Sequence, residues 1–113
     1  MSKVILSGFS GLVVVALGRL AAAGKLPRNL FAGIRIPSTL SSDEAWQAGH
    51  QAAVSALTVA GLGPVMTALI AVAKRPEYDA ERSLLRVGNV WLLGWLGVAT
   101  FQANRAARAA ESV

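Results

Sequence analysis

Apolar residues gather along this chain into three long runs, separated by one long and one short polar stretch. Residues 4–23 carry a single charge, Arg19, and a helix needs about twenty such residues to cross roughly 30 Å of hydrocarbon. A secretory signal peptide is the rival reading of this run, because Lys3 precedes it and three alanines close it. Arg19 sits badly in a signal core, which favours a span. Residues 48–73 carry no charge and form the clearest span, with Gly61, Gly63 and Pro64 predicting a bend near its middle. Residues 87–103 make a third span, closed by Arg105 and Arg108, and the link at 74–86, KRPEYDAERSLLR, is too polar to enter lipid. The pattern predicts an all-α integral membrane protein, one domain over residues 1–113. It has three transmembrane helices, with a structured polar loop (25–47) and a helix extension between the first and second.

Composition supports the spans. Hydrophobic residues make up 54% and charged residues 15%, against the roughly 25% charged of a soluble domain, so the apolar surplus faces membrane lipids. The formal charge of +5 would suggest nucleic acid on a soluble domain. Here the cations flank apolar runs, where they meet anionic headgroups and set orientation, and no nucleic-acid partner is expected. Lys3, Lys74, Arg75, Arg82 and Arg86 fall on one side; Arg19, Lys25, Arg28, Arg35, Arg105 and Arg108 fall on the other. The balance around the first span places the amino terminus outside, and the polar loop and carboxy terminus in the cytoplasm.

The loop is the informative segment. Ser41 and Glu44 have the spacing of a capping box, predicting a helix that starts at about Ser42, carries Asp43 and Glu44 against its positive dipole end and continues into the second span. Trp46 and His50 then share a face with Ala53 and Leu57. Trp46 is either an interfacial anchor or part of a site, and His50 either a packing residue or a proton-sensing or ligand group. Pro27 and Pro37 bracket a turn, and Gly33 gives a flexible position between Phe31 and Arg35. Asn29 and Arg35 can bond loop carbonyls, the acidic pair or lipid phosphate; pairing of Arg35 with Asp43 or Glu44 would pin the loop to the capped end.

Catalysis finds no foothold in these residue types. The spans hold no carboxylate, Asp43 and Glu44 are adjacent and point about 100° apart on a helix, and His50 has no orienting carboxylate at a recognisable spacing. With no cysteine and one histidine, no metal or other cofactor is expected. A proton-coupled exporter would need an ionisable carboxylate in a span, where Arg19 is the one charge and can snorkel. Helix association remains. Ser7 with Gly11, Gly49 with Ala53, Ala56 with Ala60, and Gly94 with Gly97 offer small surfaces. Trp91 and Trp95 share a face of the third span. Three helices seldom bury all such faces, which implies a homo-oligomer or docking to other membrane protein subunits.

Asn29, then Gly33-Ile34-Arg35, Pro37, Thr39-Leu40, Ser42, Trp46 and finally His50 resemble the signature of the SdpI family of bacterial membrane proteins, with Ile36 where the family carries threonine. The resemblance covers residues 27–50; outside it the likeness is one of hydrophobic spacing. Long members have further spans before the motif, and this chain resembles their carboxy-terminal part. The resemblance implies a multi-pass protein of the cell membrane that acts by binding. The expected roles are immunity to a secreted toxic peptide, or membrane signalling through a sequestered regulator. A small accessory subunit of a larger membrane complex is the alternative.

Overall fold

The computed structural model describes residues 2–29 and 32–111; Phe31 and the extreme termini of the expected domain lie outside the described residues. Four helices follow one another: α1 (Ser2–Ala22), the single turn α2 (Pro37–Leu40), α3 (Asp43–Lys74) and α4 (Tyr78–Glu111). The described residues contain no strand, and α1, α3 and α4 are each long and apolar enough to cross a membrane. The long axis measures 54 Å, well beyond roughly 30 Å of hydrocarbon, so polar helix ends and the elbow between α1 and α3 stand clear of the lipid core.

Helix α3 is the middle member: α1 and α4 each pack along it and scarcely touch one another. Small residues make this possible. Gly11 and Gly61 meet backbone to backbone, and a Cβ at either would overlap the other's carbonyl oxygen. Two buried clusters lie along α3. One joins Ala53, Ala56 and Leu57 to Ala99 and Ala103; the other joins Val4, Ala68, Ala71 and Leu85. Such close, small-residue contacts are how helices associate where lipid removes the hydrophobic driving force. Ile5, Leu6, Phe9, Leu12, Leu62, Met66, Leu69, Val90, Leu93 and Phe101 point outward, which in a bilayer is their favourable environment. Pro64 is buried within α3, which continues unbroken past it although Pro64 has no amide to give the Ala60 carbonyl.

One sequence expectation needs correction. The cap of α3 is Ser42: its hydroxyl accepts from the Ala45 amide at 3.0 Å, while Ser41 Oγ donates to the Ser38 carbonyl at 2.6 Å. Ser41 and Glu44 therefore form no capping box, because Ser41 is spent closing α2. The third long helix begins at Tyr78, ahead of the expected span at 87–103. Charges in 78–86 exclude that stretch from lipid but not from a helix, and only Arg75 in the left-handed region (φ 43°), Pro76 and Glu77 turn the chain. Gly94 and Gly97, the small surface expected on this helix, pack against nothing within the chain. Arg28 meets the acidic first turn of α3, its Nε lying 3.4 Å from Asp43 Oδ1.

Candidate functional site: the elbow between the first two spans

The elbow opens with a tight helix stop. At the end of α1 the Lys25 amide bonds the Leu20 carbonyl (2.8 Å) and the Gly24 amide the Ala21 carbonyl (3.2 Å), with Gly24 at φ 77°. This is the paired arrangement of a Schellman stop, which glycine adopts without strain. The free Ala22 carbonyl is taken by Gln47 Nε2 at 2.6 Å, fixing the end of α1 to the start of α3.

The motif residues close on one another from there. Trp46 Nε1 donates to the Leu26 carbonyl at 2.9 Å, and Arg28 Nη1 to the Leu40 carbonyl at 3.0 Å. Asn29 donates to the Pro27 carbonyl and accepts from the Ala32 amide, both at 2.7 Å. Pro37 begins α2, whose fully buried Thr39 accepts from the Ile36 amide at 3.2 Å and donates to the Ile34 carbonyl at 2.6 Å. His50, also fully buried, accepts from the Ile34 amide at 2.9 Å through Nε2. Its Nδ1 lies 2.8 Å from the Trp46 carbonyl, so this nitrogen carries the proton and the ring is the neutral Nδ1–H tautomer. Ile34 is thus held at its amide by His50 and at its carbonyl by Thr39, two side chains from different helices. Neither satisfied ring nitrogen has a site left for a metal, and no group of three or more potential ligands occurs among the described residues.

Trp46 is 2% exposed, with its ring centroid 4.3 Å from that of His50; it is an internal strut, not a headgroup anchor. Gly33 sits on this ring pair at φ 102°, and a Cβ there would lie 2.9 Å from Trp46 Cη2 and 3.0 Å from His50 Nε2. Two separate constraints therefore require glycine: the sign of φ and the ring surface below. Ser38 Oγ donates to Asn104 Oδ1 at 2.6 Å, which ties α2 to α4. The structure thus brings Asn29, Gly33, Pro37, Thr39, Ser42, Trp46 and His50 into one unit, with Arg35 in the segment between Ile34 and α2.

Below the elbow lies a cavity of about 220 Å³. Val14, Leu17 and Gly18 of α1, His50 and Leu57 of α3, and Leu96 of α4 line it, with Gly33 and Ile34 forming its roof. Its wall is apolar apart from the imidazole edge, and its size suits a branched or aromatic side chain or a segment of acyl chain. Sequence reasoning did not anticipate this space, since it arises only where three helices and the loop converge. It also missed Arg28 and Gln47. Their signal was position, next to the polar stretch and one turn into α3.

The fold and this elbow define a multi-pass α-helical membrane protein built around one long central helix. A family model described as the SdpI/YfhL protein family matches residues 25–101, more than half of the chain and well beyond the motif itself. The protein belongs to the SdpI/YfhL family. No curated protein and no solved structure matches the chain.

Proposed function

We propose that this protein acts by binding in the cell membrane, as an SdpI-like immunity or signalling protein, and performs no catalysis. The observation that carries this reading is the apolar cavity roofed by the motif's own Gly33 and Ile34. Gly33 and Ile34 of the motif cover this space, whose other walls come from the three spans. An apolar side chain of a toxic peptide, or of a membrane-docked regulator, is the kind of group that space accepts. Small-molecule and peptide sites share this make-up of apolar walls with few polar groups.

The test is cellular. Deleting the protein sensitises cells to a secreted membrane-active peptide or alters expression of a regulated promoter, and Arg35→Ala reproduces the effect. Leu17→Phe, which fills the cavity, abolishes protection while the protein still accumulates in the membrane. Full protection by a stably inserted Leu17→Phe protein would remove the cavity from the account.

A second reading, an accessory subunit or homo-oligomer, is favoured by Gly94 and Gly97, which leave a small-residue face of α4 open. Purification in mild detergent separates the two: fixed stoichiometry with a larger complex, lost in Gly94→Leu, supports the subunit. We place the elbow and the carboxy terminus in the cytoplasm. The chain lacks cysteine, so labelling single cysteines introduced at Lys25 and Glu77 with an impermeant reagent reads the orientation directly.

A further inference from the structure

At the end of the molecule remote from the elbow, a cleft of about 440 Å³ lies between α1 and α4. It is lined by Lys3, Leu6 and Ser7 of α1 and by Arg82, Leu85, Arg86 and Asn89 of α4. Three cations thus face one space. No carboxylate lies within ion-pair distance of any of them among the described residues; the acidic groups at the start of α4, Asp79 and Glu81, lie outside the lining. Arg82 rests over the Tyr78 ring at 5.7 Å, which holds its stem along the helix. The second observation is independent of charge. Ser7 Oγ is buried and has no hydrogen-bond partner, the one such side-chain atom among the described residues. A buried hydroxyl in a helix ordinarily bonds a carbonyl three or four residues back, as Thr58, Thr67 and Thr100 do here. Ser7 lines the cleft with its donor unspent.

We propose that this cleft binds the phosphate of an anionic phospholipid, the headgroup lying among Lys3, Arg82 and Arg86 and accepting a bond from Ser7, with the acyl chains running down the gap between α1 and α4. The headgroup chemistry follows from three cations beside an unspent hydroxyl donor and an amide. The lipid source follows from place: the cleft lies near the charged end of two spans and continues into outward-facing apolar side chains such as Ile5, Phe9 and Val90. Basic pockets between spans recognise anionic headgroups by this arrangement, here at the outer leaflet in the orientation proposed above. The site is separate from the elbow and holds whichever function the elbow serves.

The experiment uses the full chain in neutral detergent, titrated with short-chain phosphatidylglycerol, phosphatidylcholine or inorganic phosphate. Thermal stability and native mass spectrometry are the readouts. Phosphatidylglycerol raises the melting temperature and is retained as a stoichiometric adduct. In Arg82→Gln/Arg86→Gln its affinity falls about 30-fold, given about one headgroup-strength interaction per cation. Arg19→Gln/Lys25→Gln, at the elbow end, keeps wild-type affinity. Ser7→Ala separates binding from structure: removing an unsatisfied buried hydroxyl leaves the lipid-free protein as stable or more so, yet shrinks the increment given by phosphatidylglycerol. Equal shifts with phosphatidylcholine, an equal response to inorganic phosphate alone, or an undiminished phosphatidylglycerol response in the double variant would each overturn the proposal.

Discussion

The two ends of this molecule use polar side chains in opposite ways. At the elbow, nearly every described polar group is spent on a neighbouring backbone: His50 and Thr39 hold Ile34, Trp46 holds Leu26, Gln47 holds Ala22 and Ser42 caps α3. At the far end, Lys3, Arg82 and Arg86 face an open cleft, and Ser7 offers a hydroxyl that nothing takes. The elbow has enough chain to fold back and satisfy itself. The opposite turn has three residues between α3 and α4 and no loop to spare. The described polar groups of the elbow thus turn on the chain itself above the cavity, while three cations of the other end line an open cleft.

If this contrast holds, substitutions at the elbow lower stability and those at the far end do not. The largest effect is expected at Gly33. Alanine there must take a φ of 102° and place its Cβ against Trp46 and His50, costing about 2–4 kcal/mol from backbone strain and overpacking together. Unfolding in a mixed-detergent titration measures it, and a wild-type midpoint for Gly33→Ala would mean the elbow is looser than described.

Thr39→Val follows. The shape is kept but the hydroxyl is lost, leaving the buried Ile34 carbonyl without its 2.6 Å partner, at about 1–3 kcal/mol. Thr39→Ser retains the hydroxyl and recovers most of that. The same titration reads both, and a loss seen with serine but not with valine would assign the effect to packing of the methyl group, which touches the Gly49 side of α3.

Sequence legibility divides along the same line. The three spans were readable because long runs with at most one charge leave few alternatives, and the family motif marked the elbow. The start of α4 was not, because a polar helical stretch looks like a loop when charge alone is weighed; the stop signals at Arg75 and Pro76 lay closer to α3 than the composition suggested. The clamp on Ile34 could not be read from sequence at all, since its two halves come from residues five and sixteen positions away and meet only after folding. The cleft at the other end shares that fate: Lys3 and Arg82 lie at opposite ends of the sequence.

The two serines offer a finer test, because sequence and structure disagree by one residue. Ser42→Ala removes the cap seen at the Ala45 amide and costs about 1 kcal/mol. Ser41→Ala removes an exposed bond within a single turn and costs under about 0.5 kcal/mol. Comparing the two unfolding midpoints decides which serine begins α3, and the reverse order would restore the capping box of Ser41 and Glu44.

The smallest expected effect carries the most weight for the comparison. Arg82→Gln/Arg86→Gln in neutral detergent without added lipid should change stability by no more than about 0.5 kcal/mol, as for surface positions that anchor nothing. The two arginines sit one turn apart on α4, so their like charges repel weakly and glutamine even relieves that repulsion. A loss comparable to that of Thr39→Val would mean the cations are spent inside the fold, as the elbow's polar groups are. An unchanged midpoint leaves their charge available to something outside the chain, and the distinction between the two ends is then one of function as well as geometry.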